Sequence, residues 1–106
     1  MRYKFRIENE ARQELDDILN YISNELKNPT AASNLHKAIL ETVDALKTAP
    51  NGFDYSRNEN LAKAGVRQVP VENYCLLYVV DDKQMKFSVI HIKYAGSDLN
   101  KVPLPN

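Results

Sequence analysis

The order of hydrophobic and polar residues changes its period twice along the chain. From Arg2 to Ile7, large apolar residues alternate with basic ones, which predicts a short β-strand with one apolar side. From Ala11 to Leu26 and again from Ala31 to Leu46, apolar residues recur at spacings of three and four, which predicts two amphipathic helices. Glu8-Asn9-Glu10 offers a capping residue and early negative charge, both favourable where a helix begins.

Asn28-Pro29-Thr30 is expected to separate the two helices. Proline disfavours helical geometry in the residue before it, and Thr30 can cap the helix that follows, which should run to about Thr48. Two helices of similar length with so short a break are expected to form an antiparallel hairpin.

The stretch from Gly65 to Tyr94 contains three apolar runs rich in β-branched residues. Two short polar breaks, Glu72-Asn73 and Asp81-Asp82-Lys83, separate them, which predicts a three-stranded antiparallel meander. Residues 51–64 show neither the helical nor the strand spacing of apolar residues and are expected to form a loop. The predicted fold is therefore a two-layer α+β domain in the order β-α-α-β-β-β, with an antiparallel sheet and the helical hairpin on one sheet face.

Both faces of this sheet are expected to be apolar. Neighbouring residues on a strand point to opposite faces, so the apolar residues of the meander cannot all face the helices. We expect the second face to be covered by a partner or by the C-terminal tail. Residues 1–99 are predicted to form the domain and residues 100–106 the tail. The residues that must divide between the two faces are Tyr74, Cys75, Leu77, Tyr78, Phe87, Val89, Ile90 and Ile92.

Composition places the chain among ordinary single-domain globular proteins. It has 106 residues, 43% of them hydrophobic and 26% charged, which predicts one folded core rather than disorder. Fourteen basic residues balance fourteen acidic ones, so no overall positive field attracts nucleic acid. This balance weighs against cleavage of RNA.

The sequence predicts a cytoplasmic protein without a cofactor. The lone Cys75 lies in an apolar strand pattern, as expected of a small buried side chain in a reducing compartment. No apolar run is long enough to span a membrane, and the N-terminus lacks the apolar region of a signal peptide. His36 and His91 have no cysteine or carboxylate at metal-ligand spacing, and no glycine-rich phosphate loop is present.

Two stretches of the chain carry a family pattern. Residues 11–50 contain an alanine, an acidic-Leu and an acidic-Ile pair, a Tyr-Ile pair, Pro-x-Ala and a closing Leu-x-x-x-Pro. Residues 65–82, GVRQVPVENYCLLYVVDD, and 89–98, VIHIKYAGSD, contain Gly-x-Arg, an Asn-Tyr turn, a Tyr-Val strand and a last hydrophobic strand followed by Asp. In this order and spacing, the chain resembles the RelE/ParE superfamily of bacterial type II toxin–antitoxin toxins over residues 1–99.

The resemblance implies a small growth-inhibiting toxin of a plasmid-stabilisation type of system, wrapped by the flexible C-terminal segment of a cognate antitoxin. RelE-like members cleave mRNA on the ribosome, whereas ParE-like members inhibit DNA gyrase and are not nucleases. The long helical hairpin resembles ParE, so the gyrase inhibitor ranks slightly ahead of the endoribonuclease. A family member that has lost toxicity, or a small binding module, is the further alternative.

Four residues are candidates for catalysis if the chain is RelE-like: Arg67, His91, Lys93 and Tyr94. Cleavage of RNA needs a base for the 2′-hydroxyl, a cation for the phosphate and an acid for the leaving oxygen. By resemblance, Arg67 falls on the strand arginine that contacts the scissile phosphate, and Tyr94 falls near the terminal aromatic position. The basic residues that RelE-like members carry beyond it are replaced here by Ala95-Gly96-Ser97.

Each of these four residues also has a structural interpretation. Arg67 could pair with Glu72 or with an acidic residue of the helices, and His91 could be a half-exposed neutral side chain. Lys93 could be a charge that protects a sheet edge from aggregation, and Tyr94 could close the edge of the core.

Overall fold

In the computed structural model of the chain, residues 2–105 are described. They form four strands and three α-helices, with one π-helical turn and two 3₁₀ turns. In chain order these elements are β1 (Lys4–Ile7), α1 (Asn9–Asn20), the π-helical turn (Tyr21–Glu25), α2 (Pro29–Leu46), a 3₁₀ turn (Pro50–Gly52), α3 (Glu59–Lys63), β2 (Val66–Val71), β3 (Tyr74–Asp81), β4 (Lys86–Tyr94) and a second 3₁₀ turn (Leu99–Lys101).

The four strands form one sheet in the order β1-β4-β3-β2. β2, β3 and β4 are antiparallel neighbours, so the predicted meander is confirmed. Its first turn lies at Glu72-Asn73 as predicted, and its second turn extends from Asp82 to Met85. The predicted two-layer α+β fold is confirmed, with a mostly antiparallel sheet in which β1 runs parallel to β4.

A β-bulge between β3 and β4 assigns the apolar residues to the two sheet faces. Leu77 lies opposite His91 whereas the next residue, Tyr78, lies opposite Val89, so β4 carries one extra residue at this point. Strict alternation would put Val89 and Ile92 on opposite faces. Because of the extra residue, both pack in the core against the helices.

The main core lies between the sheet and the two long helices. Leu35 and Ile39 of α2 are almost fully buried against it, as their helical spacing predicts. Leu26, which the same spacing assigned to the apolar stripe of the first helix, is instead exposed, because the π-helical turn alters the periodicity before it. The sheet residues buried in this core are Val69, Val71, Leu76, Tyr78, Phe87, Val89 and Ile92.

The helix starts differ from the predictions. Asn28 rather than Thr30 caps α2: its side chain accepts a hydrogen bond from the backbone N–H of Ala31 at 3.1 Å, and Pro29 takes the first helical position. Glu8 precedes α1 but makes no capping hydrogen bond with its side chain. The prediction of Thr30 was wrong because Asn28, the residue before proline, already has the non-helical backbone of a cap, with φ −129° and ψ 72°.

The second sheet face is covered by other parts of the same chain. Residues 51–64, predicted to form only a loop, contain α3, whose Leu61 is buried on this face. From the C-terminal side, Leu99 and Val102 are buried against Cys75 and Leu77. Asn58 caps α3 by accepting a hydrogen bond from the backbone N–H of Leu61. The helix was not predicted, because residues 51–64 show no helical spacing of apolar residues.

The longest described helix, α2, is continuous but carries charged and polar residues among its apolar ones. No helix within residues 2–105 combines the length and the hydropathy that crossing a membrane requires.

Candidate functional site

Helix α1 takes the place of a strand along part of the sheet edge. β1 pairs with β4 only as far as Val89, so the rest of β4 has no strand on that side. The chain then turns into α1, which packs beside β4 and presents Glu14 to it. A carboxylate oxygen of Glu14 accepts a hydrogen bond from the backbone N–H of Ile92 at 3.0 Å. A side chain thus satisfies a backbone donor that a neighbouring strand would otherwise pair.

Glu14 also binds two side chains of β4. His91 Nδ1 lies 3.1 Å from Glu14 Oε1, and Lys93 Nζ is in contact with Glu14 Oε2. Burial raises the pKa of Glu14, but the hydrogen bonds from His91, Lys93 and Ile92 outweigh it and hold the pKa below its ordinary value. Glu14 is therefore a carboxylate, and it neutralises the charge of Lys93.

His91 is oriented by this carboxylate. A carboxylate can only accept hydrogen bonds, so His91 donates from Nδ1, and in the neutral imidazole Nε2 is left as an acceptor. Nε2 lies 3.9 Å from Glu10 Oε2, beyond hydrogen-bond distance. His91 is only 6% exposed and lines a groove of about 670 Å³ between the start of α1 and the C-terminal residues.

Tyr94 lies at the end of β4, outside this network. The residue is 58% exposed, and its ring meets that of Tyr74 edge on. Together with the exposed Tyr21 and Leu26 it lines a second groove, of about 580 Å³, between the π-helical turn and the ends of β3 and β4. Three exposed aromatic or aliphatic side chains in one groove are typical of a protein-binding surface.

Arg67 lies on β2, the edge strand at the other side of the sheet. Its guanidinium donates to the backbone carbonyl of Phe53 at 2.6 Å and stacks over the ring of Tyr55 at 4.2 Å. Beside it, the buried Tyr78 hydroxyl donates to the carbonyl of Pro50 at 2.7 Å. Burial raises the pKa of Tyr78 to about 12, although the positive charge of Arg67 acts to lower it. Arg67 thus fastens the segment before α3 to the sheet.

The structure brings only some of the sequence candidates together. Glu14 joins His91 and Lys93, and Tyr94 is the next residue on the same strand. Arg67 is separated from them by β3, and its polar contacts are with the Phe53 segment rather than with Glu72. Glu14 was not among the sequence candidates, because a glutamate on the polar side of a helix has no distinguishing spacing.

The described residues offer no metal centre. Within residues 2–105, no three His, Cys, Asp or Glu side chains come close enough to hold a metal ion together. The chemistry available at the two grooves is that of carboxylates, an imidazole, a lysine and tyrosines.

Comparison with known proteins gives a family and a fold. Residues 5–99 match the model of the ParE toxin of the type II toxin–antitoxin system parDE. No curated protein sequence gives a significant match.

Several solved structures share the fold, among them three toxin–antitoxin systems or complexes. The chromosomal ParDE toxin–antitoxin system from P. aeruginosa has a TM-score of 0.69 at 21% identity, covering 87% of this chain and 95% of that one. The RelBE2 toxin–antitoxin complex from Mycobacterium tuberculosis has a TM-score of 0.63 at 21% identity, covering 89% and 99%. The archaeal RelE–RelB complex from Pyrococcus horikoshii OT3 has a TM-score of 0.59 at 17% identity, covering 92% and 100%.

Proposed function

The chain belongs to the ParE toxin family of type II toxin–antitoxin systems, and from that premise we propose that it inhibits growth when free and is neutralised by a cognate antitoxin. The similar structures from P. aeruginosa and M. tuberculosis are toxin–antitoxin systems or complexes, which supports a protein partner for this chain as well. We place its action in the bacterial cytoplasm and assign the inhibitory function to residues 1–99.

We propose that inhibition acts through a binding surface, with DNA gyrase as the favoured target. The observation that carries this proposal is the engagement of the candidate nuclease residues in separate internal contacts. Arg67 is held at Phe53 and Tyr55, and the charge of Lys93 is neutralised by Glu14. Stabilising the phosphate in the transition state requires cations close to one point. Arg67 on β2 and Lys93 on β4 are separated by β3. The second groove, with its exposed Tyr21 and Tyr94, is better suited to binding another protein than to binding phosphate.

Ribosome-dependent mRNA cleavage is the second candidate, and one observation favours it. The pair of Glu14 and His91 leaves Nε2 as an acceptor facing a groove, which is the geometry of a general base. A family member without toxicity is the third candidate.

The test is induction of the full-length chain without antitoxin, followed by mRNA primer extension and a plasmid-supercoiling assay on the same culture. We expect arrested growth, intact mRNA and relaxed or cleaved plasmid DNA. Arg67→Ala and His91→Gln should retain toxicity if they still fold. As a matched control, Lys37→Ala alters an exposed charge on α2, away from both grooves. Codon-positioned cleavage of mRNA that disappears in both Arg67→Ala and His91→Gln would overturn the proposal in favour of the endoribonuclease.

The antitoxin is tested separately. We expect an adjacent open reading frame of roughly 60–100 residues whose N-terminal half has a DNA-binding motif. Its co-expression should restore growth, and the two proteins should purify as one complex. If no neighbouring gene product binds the chain and induction leaves growth normal, the toxin assignment fails for this protein and the non-toxic alternative stands.

A further inference from the structure

The groove beside His91 has an acidic and apolar composition that the favoured function, inhibition of gyrase, does not use. It lies on the second sheet face, between the first turn of α1 and the C-terminal residues. Its floor is apolar, from Val79 and Ile90, and its polar rim is acidic. The lining residues are Glu8, Asn9, Glu10, Val79, Ser88, Ile90, His91, Pro103, Leu104 and Pro105.

We propose that this groove binds an arginine side chain carried by an apolar, extended segment of a protein partner. The proposal goes beyond the toxin function, because it does not depend on which macromolecule the toxin inhibits. It commits to the chemistry of the occupant: a planar cation with several N–H donors, flanked by residues that can lie on an apolar floor.

Hydrogen-bond capacity favours a guanidinium. His91 is nine-tenths buried, and its Nδ1 is occupied by Glu14, so Nε2 is the polar atom that it can offer to a ligand. In the neutral imidazole, Nε2 is an acceptor 3.9 Å from Glu10 Oε2, so these two atoms can share one donor group. A guanidinium presents its donors in a fixed fork and can reach two adjacent acceptors at once.

Charge favours the same occupant. The lining contains two glutamates and, among the described residues, no lysine or arginine. Glu8 already pairs with Arg6 at 3.3 Å, whereas the side chain of Glu10 is 75% exposed and, within residues 2–105, has the imidazole of His91 as its one basic neighbour within 4 Å. Among the described residues, no lysine or arginine therefore competes with an incoming cation for the Glu10 carboxylate. An acidic peptide or a nucleic-acid phosphate would meet repulsion there.

The shape of the groove favours a peptide over an isolated ion. A volume of about 670 Å³ is that of a pocket holding several residues or a small molecule. Pro103, Leu104 and Pro105 form one wall, and Leu104 is 54% exposed. Apolar residues on either side of the arginine could remove this leucine from water, which adds affinity to the polar contact.

The test is an NMR titration of the full-length ¹⁵N-labelled chain with Nα-acetyl-L-arginine methylamide. We expect saturable shifts of the His91 ring nitrogens, with a Kd on the order of 1–10 mM for so small a probe. The exposed His36 of α2 serves as an internal control and should not shift. The matched control ligand is the citrulline analogue, which has nearly the same shape but no charge, and it should bind about tenfold more weakly.

Two variants separate the groove from general electrostatics. Glu10→Gln should weaken binding of the arginine probe by about tenfold, because the charge-assisted hydrogen bond is lost. Glu25→Gln removes a carboxylate outside the groove and should leave the affinity unchanged. Equal binding of the arginine and citrulline probes, equal weakening by both variants, or the lack of any saturable shift at His91 would each overturn the proposal. Because growth is not measured, these outcomes are independent of the toxin assignment.

Discussion

At the scale of single residues, Glu14 contributes to the fold in a way that its position on the polar side of a helix does not reveal. One carboxylate joins α1 to β4 through a backbone N–H, an imidazole and an ammonium group. Two of the four candidate catalytic residues, His91 and Lys93, therefore also hold the helix against the open sheet edge. A substitution of either one affects the fold as well as any activity.

We expect Glu14→Gln to lower the free energy of unfolding by about 1–3 kcal/mol at pH 7, since charged hydrogen bonds are lost in a partly buried site. The folded-state pKa of Glu14 is lowered, so its stabilisation is present above the unfolded pKa of about 4.3 and is lost as pH falls through the folded value. Urea unfolding at pH 7 and at acid pH measures both effects.

The acid dependence distinguishes this role from simple packing. The wild-type chain should lose stability between pH 5 and 3 more steeply than Glu14→Gln, as denaturant titrations in that range would register. Glu25→Gln, in the π-helical turn, should stay within about 0.5 kcal/mol of the wild type. Identical acid profiles for wild type and Glu14→Gln would show that the Glu14 contacts do not stabilise the folded state.

Tyr78 gives a prediction at the alkaline end. Tyr78→Phe removes the hydrogen bond to Pro50 and should cost about 1–2 kcal/mol near neutral pH. The folded pKa of Tyr78 is raised to about 12, so its stabilisation is complete below the unfolded pKa of about 10 and is lost as pH rises toward 12. Chemical unfolding at pH 7 and pH 11 should show a smaller alkaline loss for Tyr78→Phe than for the wild type, with the exposed Tyr21→Phe as control.

At the scale of elements, the sequence predicted whatever depends on a local period. The two long helices and the meander follow from spacings of 3.6 and two, and both are present. The bulge opposite Leu77 could not be predicted, because it depends on how β3 and β4 pair across space. The same limit applies to the site. Arg67, His91 and Lys93 were grouped because cleavage of RNA needs a base and cations, yet strand order and the position of α1 decide which of them meet.

Asn28 allows a direct test of how α2 begins. Asn28→Ala should lower the free energy of unfolding by about 1 kcal/mol, because the N–H of Ala31 loses its capping acceptor. Asn24→Ala, an exposed asparagine of the π-helical turn, is the matched control and should be nearly neutral. Thermal and urea denaturation of the two variants measure the difference. A larger loss in Thr30→Ala than in Asn28→Ala would restore the original assignment of the cap.

At the scale of the whole molecule, the chain covers its own second sheet face. Leu99 and Val102 bury Cys75, whose thiol pKa is raised by burial. Leu99→Ala should lower the free energy of unfolding by about 2–5 kcal/mol, as expected for a buried leucine, whereas Leu104→Ala at an exposed position should have little effect.

The reactivity of the Cys75 thiol measures independently how well Leu99 and Val102 shield the second sheet face. We expect slow reaction of the native thiol with a disulfide reagent, and faster reaction in Leu99→Ala than in Leu104→Ala under the same native conditions. If Leu99→Ala is too unstable to purify, Val102→Ala is the milder substitution at the same surface. Equal labelling rates in all variants would indicate that these C-terminal residues do not protect the sheet.

The pairing of β1 with β4 has a consequence for the order in which the molecule folds. Lys4 lies opposite Lys86 on the sheet, although the two residues are far apart in the sequence. Closing so long a loop is slow compared with forming local helices and hairpins. We therefore expect β1 to join the sheet late in folding, after the two long helices and the meander have formed.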